Sequence, residues 1–203
     1  MGFYDDHVLP RIIDVLLGNK NVGKLRARAL TGLHGNVVEL GFGSGTNVPY
    51  YPEAVARVYA VDPALVGRKL AAKRIAASKV PVSFVGLDGA VIPLDDGSMD
   101  CALATWTLCT IPDVDAALRE VRRVLRPGGS LVFLEHGISD DPDVARRQRR
   151  FDPIQQRIAG GCHLDRDPVA LMRAAGFGIE QVDNFMIAGP KIASYMYAGT
   201  ARN

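Results

Sequence analysis

The chain has 203 residues, 48% of them hydrophobic and 23% charged, with a formal net charge of +2. That balance is ordinary for a globular chain long enough to bury a full core in one domain, and the small charge does not by itself predict binding to nucleic acid or an anionic membrane. Three cysteines (Cys101, Cys109, Cys162) have neither metal-type spacing nor the even count of a disulfide framework, which leaves no metal expected and fits a reducing cytoplasm.

Met1 to Asp6 carries neither the basic nor the apolar region of a secretory signal. The uncharged run from Cys101 to Pro112 is far too short to cross a bilayer. Residues 3–18 predict an amphipathic helix with Val8, Ile12, Val15 and Leu16 on its apolar face, stopped by Gly18-Asn19. Residues 22–33 predict a second, with Val22, Leu25, Ala29 and Leu33 inward and its basic residues outward. Strands follow at Val37 to Leu40, Arg57 to Val61, Pro81 to Val85, Met99 to Thr105 and Ser130 to Glu135, with helices over 64–78 and 113–125 between them.

Strands alternating with helices predict an α/β fold with a mainly parallel sheet and helices on both faces. The last third reads differently. A polar helix over 142–158 meets a break at Gly160-Gly161, and a short helix over 167–175 ends at Gly176. Ile179 to Phe185 and Ile192 to Ala198 are separated only by Met186 to Lys191, too short a link for a crossover helix, so the chain ends in an antiparallel hairpin. The run Arg146-Arg147-Gln148-Arg149-Arg150 cannot share one helical face and reads as solvated surface; with no aromatic interleaving, nucleic-acid binding is not expected.

The stretch Val37-Val38-Glu39-Leu40-Gly41-Phe42-Gly43-Ser44-Gly45-Thr46 is a buried strand running into glycines at every second position. Such a turn needs positive φ or close ligand approach, at the strand ends where open α/β sheets bind their ligands. A dinucleotide loop has Gly-x-Gly-x-x-Gly opening a long helix. Here position 46 is Thr, and Pro49 and Pro52 forbid a long helix. A ligand without phosphates on this loop fits better. Asp62 ends the second strand 17 residues past Gly45, where a carboxylate can accept from both ribose hydroxyls or, with Pro63, start the next helix.

Glu39-x-Gly41-x-Gly43-x-Gly45 resembles the first motif of the class I methyltransferases that use S-adenosylmethionine (SAM). Four further segments resemble a small bacterial subgroup of that class, similar to the alkyl-thiol methyltransferases of animals. They are Thr105 to Asp113, Arg126-Pro127-Gly128-Gly129, Phe133-Leu134-Glu135-His136-Gly137, and Asp152-Pro153 through Leu164. The resemblance implies a Rossmann-like seven-stranded sheet with a C-terminal hairpin. It implies one domain over 1–203, divided into N-terminal helices or lid (1–34), SAM-binding core (35–136) and acceptor-side helices with the hairpin (137–203). It implies SAM as cofactor, S-adenosylhomocysteine as product and a small-molecule acceptor.

The cofactor set it implies is Glu39, Gly41, Phe42, Gly43, Gly45, Asn47, Asp62, Pro63, Asp88, Gly89 and Thr105. The methionine part lies on the glycine loop, the ribose on Asp62, and the adenine at Leu87 to Gly89. Leu87-Asp88-Gly89 also reads as a plain turn. Trp106 and Cys109 fall over the crevice, and Tyr4 and His7 on the first helix; these four are the expected acceptor side. Trp106 also fits a packing role, and Cys109 an inert thiol. His136 and His163 fall on ligand-side loops, as proton acceptors or as walls of the pocket, although a lone histidine is as ordinary on a surface or in a core. The animal proteins carry an apolar N-terminal anchor that this chain lacks, so no membrane anchor is expected. An NAD(P)-dependent oxidoreductase and a non-catalytic SAM-binding protein are the alternatives.

Overall fold

The computed structural model describes residues 4–203. Seven strands form one sheet: β1 (Gly35–Leu40), β2 (Val55–Val61), β3 (Val82–Gly86), β4 (Met99–Thr105), β5 (Leu125–His136), β6 (Gly178–Met186) and β7 (Tyr195–Arg202). Their spatial order is β3-β2-β1-β4-β5-β7-β6. The first five strands are parallel, and β7 runs antiparallel to both β5 and β6. Six α-helices accompany them: α1 (Leu9–Leu17), α2 (Lys20–Ala29), α3 (Leu65–Ala76), α4 (Val114–Val124), α5 (Pro142–Ile158) and α6 (Pro168–Ala174).

Side chains alternate across a strand, so each central strand feeds two cores. Val38, Leu40, Ala102, Ala104 and Phe133 pack with Leu118, Val121 and Val124 of α4 on one face. Val37, Val58, Ala60, Leu103 and Val132 pack with Leu30, Leu33, Phe42 and Ala71 on the other. The expected hairpin is present, but β7 starts at Tyr195 rather than Ile192. Pro190 opens a 3-10 turn over Lys191–Ala193, closed by Ala193 N–H and Ser194 Oγ on the Pro190 carbonyl. Arg126-Pro127-Gly128-Gly129 bulges out of β5: Met99 pairs with Leu125, and Cys101 next pairs with Ser130.

The N-terminal helices depart furthest from expectation. Pro10 has no N–H, so the regular helix begins only at Leu9, preceded by a π-helical turn over Tyr4–Val8. The expected inward face is outward: Ile12, Val15 and Leu16 are exposed, and Leu9 is the buried residue of α1. In α2 the expectation fails in the opposite sense, because Arg26 is only 2% exposed. Likewise α5 is not polar all round; Gln148 is fully buried and bonds Ser139 N–H, the Gly137 carbonyl and the Ile192 carbonyl.

Candidate active site

Glu39, the glycine loop, Asp62, Thr105 and His136 stand at the carboxyl ends of β1, β2, β4 and β5. Gly41, Gly43 and Gly45 all adopt positive φ, at 65°, 55° and 72°. At Gly41 the space is closed as well, since a Cβ would lie 2.1 Å from Thr107 Oγ1. Gly43 N–H donates to Asp62 Oδ2 at 2.7 Å, and Ala64 N–H to Oδ1 at 2.6 Å. Asp62 therefore ties the glycine loop to the end of β2 and starts the α3 approach, with lone pairs left for a ligand. Burial raises its pKa against those two N–H bonds. Phe42 turns its side chain into the core, edge-on to Phe84 at 5.2 Å, so only its backbone faces the loop. The loop is also held from outside: Ser44 Oγ donates to Asp14 of α1 at 2.6 Å, and Arg74 of α3 bridges Asp14 and the Ser44 carbonyl.

Behind the loop is a buried polar cluster. Glu39 accepts from Asn47 Nδ2 at 2.9 Å and from the Tyr51 hydroxyl. Asn47 Nδ2 also reaches Thr105 Oγ1 at 2.9 Å. Arg26 donates to Asn47 Oδ1 at 2.6 Å and Thr105 Oγ1 at 3.0 Å, and its guanidinium lies 4.6 Å from the centre of the Trp106 ring. Burial pulls the Arg26 pKa down to about 10, while the Glu39 charge works against that fall. Burial pushes Glu39 up to about 7 despite Tyr51, Asn47 and Arg26.

Arg26 was hidden in sequence as one of several basic residues on a helix. The available signal was its place in the i, i+4, i+8 row Val22-Arg26-Leu30, whose other two members are buried.

The segment after β4 is shaped by a second buried carboxylate. Glu135 accepts from Thr107 N–H at 2.9 and 3.0 Å and from Leu108 N–H at 3.1 Å, yet burial pushes its pKa up to about 7. Those bonds hold the turn in which Trp106 takes a φ of 50°, the one positive φ of a non-glycine residue among those described. Next to it, His136 Nε2 lies 3.0 Å from Cys162 Sγ, which is 3.6 Å from Cys109 Sγ. His163 Nδ1 lies instead 3.1 Å from Gln156 Nε2 and 3.3 Å from Asp152 Oδ2, with Asp152 Oδ1 accepting from Leu164 N–H at 2.6 Å.

The expected residues thus fall into groups. Glu39, Asn47 and Thr105 meet directly, and Asp62 joins Gly43. Cys109 and His136 meet at Cys162, which spacing along the chain did not indicate. Pro63 is exposed beside Asp62. Asp88 is exposed, with its carboxylate accepting from Ala90 N–H at 2.8 Å, so the turn reading holds locally. Gly89 packs close to Ala117 and Leu40. Tyr4 bonds the Ile158 carbonyl at 3.0 Å, tying the N-terminal turn to the end of α5, and His7 is exposed on the same turn. A groove of about 530 Å³ opens beyond Pro49 and Tyr51 toward Lys79, but neither Glu39 nor Asp62 lines it.

Residues 38–133 match the family model of a methyltransferase domain. The chain belongs to the class I SAM-dependent methyltransferases. It is 36% identical over 162 residues to the thiol S-methyltransferase TMT1B of Homo sapiens, covering 77% of this chain and 66% of that protein. It spans 59–66% of the length of the human, rat and mouse thiol S-methyltransferases it matches. Among solved structures, it resembles a SAM-dependent methyltransferase of Thermotoga maritima (TM-score 0.66, 21% identity, covering 98% of this chain and 97% of that one). It also resembles a geranyl diphosphate methyltransferase in complex with SAM (TM-score 0.66, 13% identity, covering 89% and 83%). These two show a shared fold. No helix among the described residues is long and apolar enough to cross a membrane.

Proposed function

We propose that the protein transfers the methyl group of SAM to a small thiol. The observation that carries the cofactor half is the pair of buried carboxylates, Glu39 and Asp62, at adjoining strand ends beside three left-handed glycines. Gly41, Gly43 and Gly45, with the Phe42 backbone, let the methionine part approach. Glu39, Asn47 and Thr105 set that loop from behind. Asp62 and Pro63 take the ribose, and Asp88 and Gly89 border the adenine.

The thiol half is supported by the thiol S-methyltransferases among the relatives. The acceptor sulfur attacks the methyl carbon in line, its lone pair forms the new C–S bond, and the electrons of the old bond leave on S-adenosylhomocysteine. Alignment and exclusion of water are what the protein supplies. Trp106, Cys109, Tyr4 and His7 border the acceptor. His136 and His163 stand on that side as proton acceptors, for a thiol whose pKa of about 8.5 asks little of a base. The three free thiols fit a reducing cytoplasm.

Calorimetric titration with S-adenosylhomocysteine and separately with NAD⁺ tests the cofactor, with Asp62→Ala as the variant. Micromolar binding of S-adenosylhomocysteine alone, weakened by about tenfold or more in the variant through loss of a charge-assisted bond, is expected. Tight NAD⁺ binding refutes the assignment. Formation of S-methyl product from a small alkyl thiol, above that from amines and phenols, tests the acceptor.

A further inference from the structure

We infer that Cys109, His136 and Cys162 form a three-ligand site for a soft divalent cation of the zinc class, with its fourth position open to a thiolate. The two sulfurs and the imidazole nitrogen all lie within 4.8 Å of one another. Zinc bonds of about 2.3 Å to sulfur and about 2.05 Å to nitrogen give tetrahedral edges of about 3.8 Å (S to S) and about 3.6 Å (S to N). The measured edges are 3.6 Å between the sulfurs and 3.0 Å from Cys162 Sγ to His136 Nε2. Both of these edges lie within about 0.6 Å of the tetrahedral values, and the third, from Cys109 Sγ to His136, falls inside the same 4.8 Å limit.

The donor set is soft, two thiols and an imidazole, which selects zinc-like cations over magnesium or calcium. His136 is only 7% exposed and turns Nε2 toward Cys162, so that nitrogen is the one placed to ligate; Nδ1, which has no hydrogen-bond partner among the described residues, would then carry the ring proton. Cys162 is half-buried and gives the site its opening. A second cluster, Asp152, His163 and Asp165, is also close-set. It is oxygen-rich, and Asp152 already accepts from Gln156 and Leu164 N–H.

Binding replaces the two thiol protons, which leave to solvent, with two sulfur–metal bonds and one from the imidazole lone pair. Three protein ligands are the arrangement of zinc sites that keep a position for a reacting group. An incoming thiol would lose its proton to His163 or to solvent, since His136 Nε2 as a ligand no longer accepts one, and sit there as thiolate, on the strand-end side of β4 and β5 where the acceptor is expected. That last step rests on the thiol reading above; the cation site does not.

The test is a titration of the reduced, chelator-treated full chain with Co²⁺, following thiolate-to-cobalt charge-transfer absorption. The expected result is a band that saturates at one equivalent, is displaced by Zn²⁺ and shifts on addition of a small alkyl thiol. Cys162→Ser and Cys109→Ser should each weaken binding by at least about 100-fold, since loss even of an outer-shell partner costs 10–100-fold. Cys101→Ser, at a thiol beside His34 and outside the site, should leave it unchanged.

No thiolate band in the wild type, or a band that persists in both ligand variants, overturns the site; a band that ignores added thiol overturns the open position. Should a serine variant fail to fold, alkylation of the wild type decides: one equivalent of Zn²⁺ must protect Cys162. S-adenosylhomocysteine binding on the same sample separates the two readings, because binding without a cobalt band removes the metal site and leaves the cofactor assignment standing.

Discussion

Arg26→Met removes the one cation in the buried cluster behind the glycine loop while keeping most of its volume. The loss has two parts. The first is the pair of hydrogen bonds to Asn47 and Thr105, together with the stacking on Trp106. The second is the charge that offsets Glu39 and Glu135, both 1% exposed or less. Removing one member of a buried charged set costs about 3–5 kcal/mol. For a chain of this size that is a fall in Tm on the order of 10 °C.

The cost must depend on pH. Both glutamates have folded pKa values raised from 4.5 to about 7. Between those values the folded chain keeps protons that the unfolded chain has released, so stability falls as pH rises through the window. Arg26 holds both values lower than they would otherwise be, and with its own pKa at about 10 it stays charged throughout. Without it the two carboxyls titrate higher still, so the deficit of Arg26→Met is smallest near about pH 5, where both are protonated, and largest near about pH 8. Thermal unfolding by circular dichroism at the two pH values measures this. An equal deficit at both refutes the electrostatic part, and no deficit at either refutes the buried brace.

Gly41→Ala sets a Cβ 2.1 Å from Thr107 Oγ1 at a φ of 65°. It should cost about 1–3 kcal/mol of stability and weaken S-adenosylhomocysteine at least about tenfold by displacing the loop from its approach geometry; wild-type affinity in calorimetry would refute the role of that glycine. Asp152→Asn keeps size but gives up a charged acceptor of the Leu164 N–H. The expected loss is about 1–3 kcal/mol, with faster proteolysis confined to residues 159–166. An unchanged cleavage pattern would show that Asp152 does not hold that loop.

How much of this was legible depends on whether the deciding contact is local. Glycines at every second position marked a turn of positive φ or close ligand approach, the first of which is found, and the Met186 to Lys191 link was too short for a crossover. Both expectations hold, because they concern what a few adjacent residues can do. The side on which Ile12, Val15 and Leu16 lie is not local. Their spacing marks an apolar face but not its partner, and α1 is set instead by Asp14 on Ser44 and Arg74, two polar contacts that bring residues 30 and 60 positions away. Arg26 fails for the same reason, since a cation is buried only where Asn47 and Thr105 come to meet it.

The Cys109, His136 and Cys162 group is the extreme case. Its members come from the turn after β4, the end of β5 and the segment after α5, so no spacing rule that looks for paired ligands a few residues apart could assemble it. The sheet does so by ending β4 and β5 side by side, with Thr105 opposite Leu134, and His163 N–H on the Cys109 carbonyl at 2.8 Å brings the third segment in. The feature most easily read from sequence, the parallel sheet, therefore positions the one hardest to read. The turn after β4 is held by Glu135, buried at the end of β5 beside His136, so a change there should reach the thiols through the backbone without touching either sulfur.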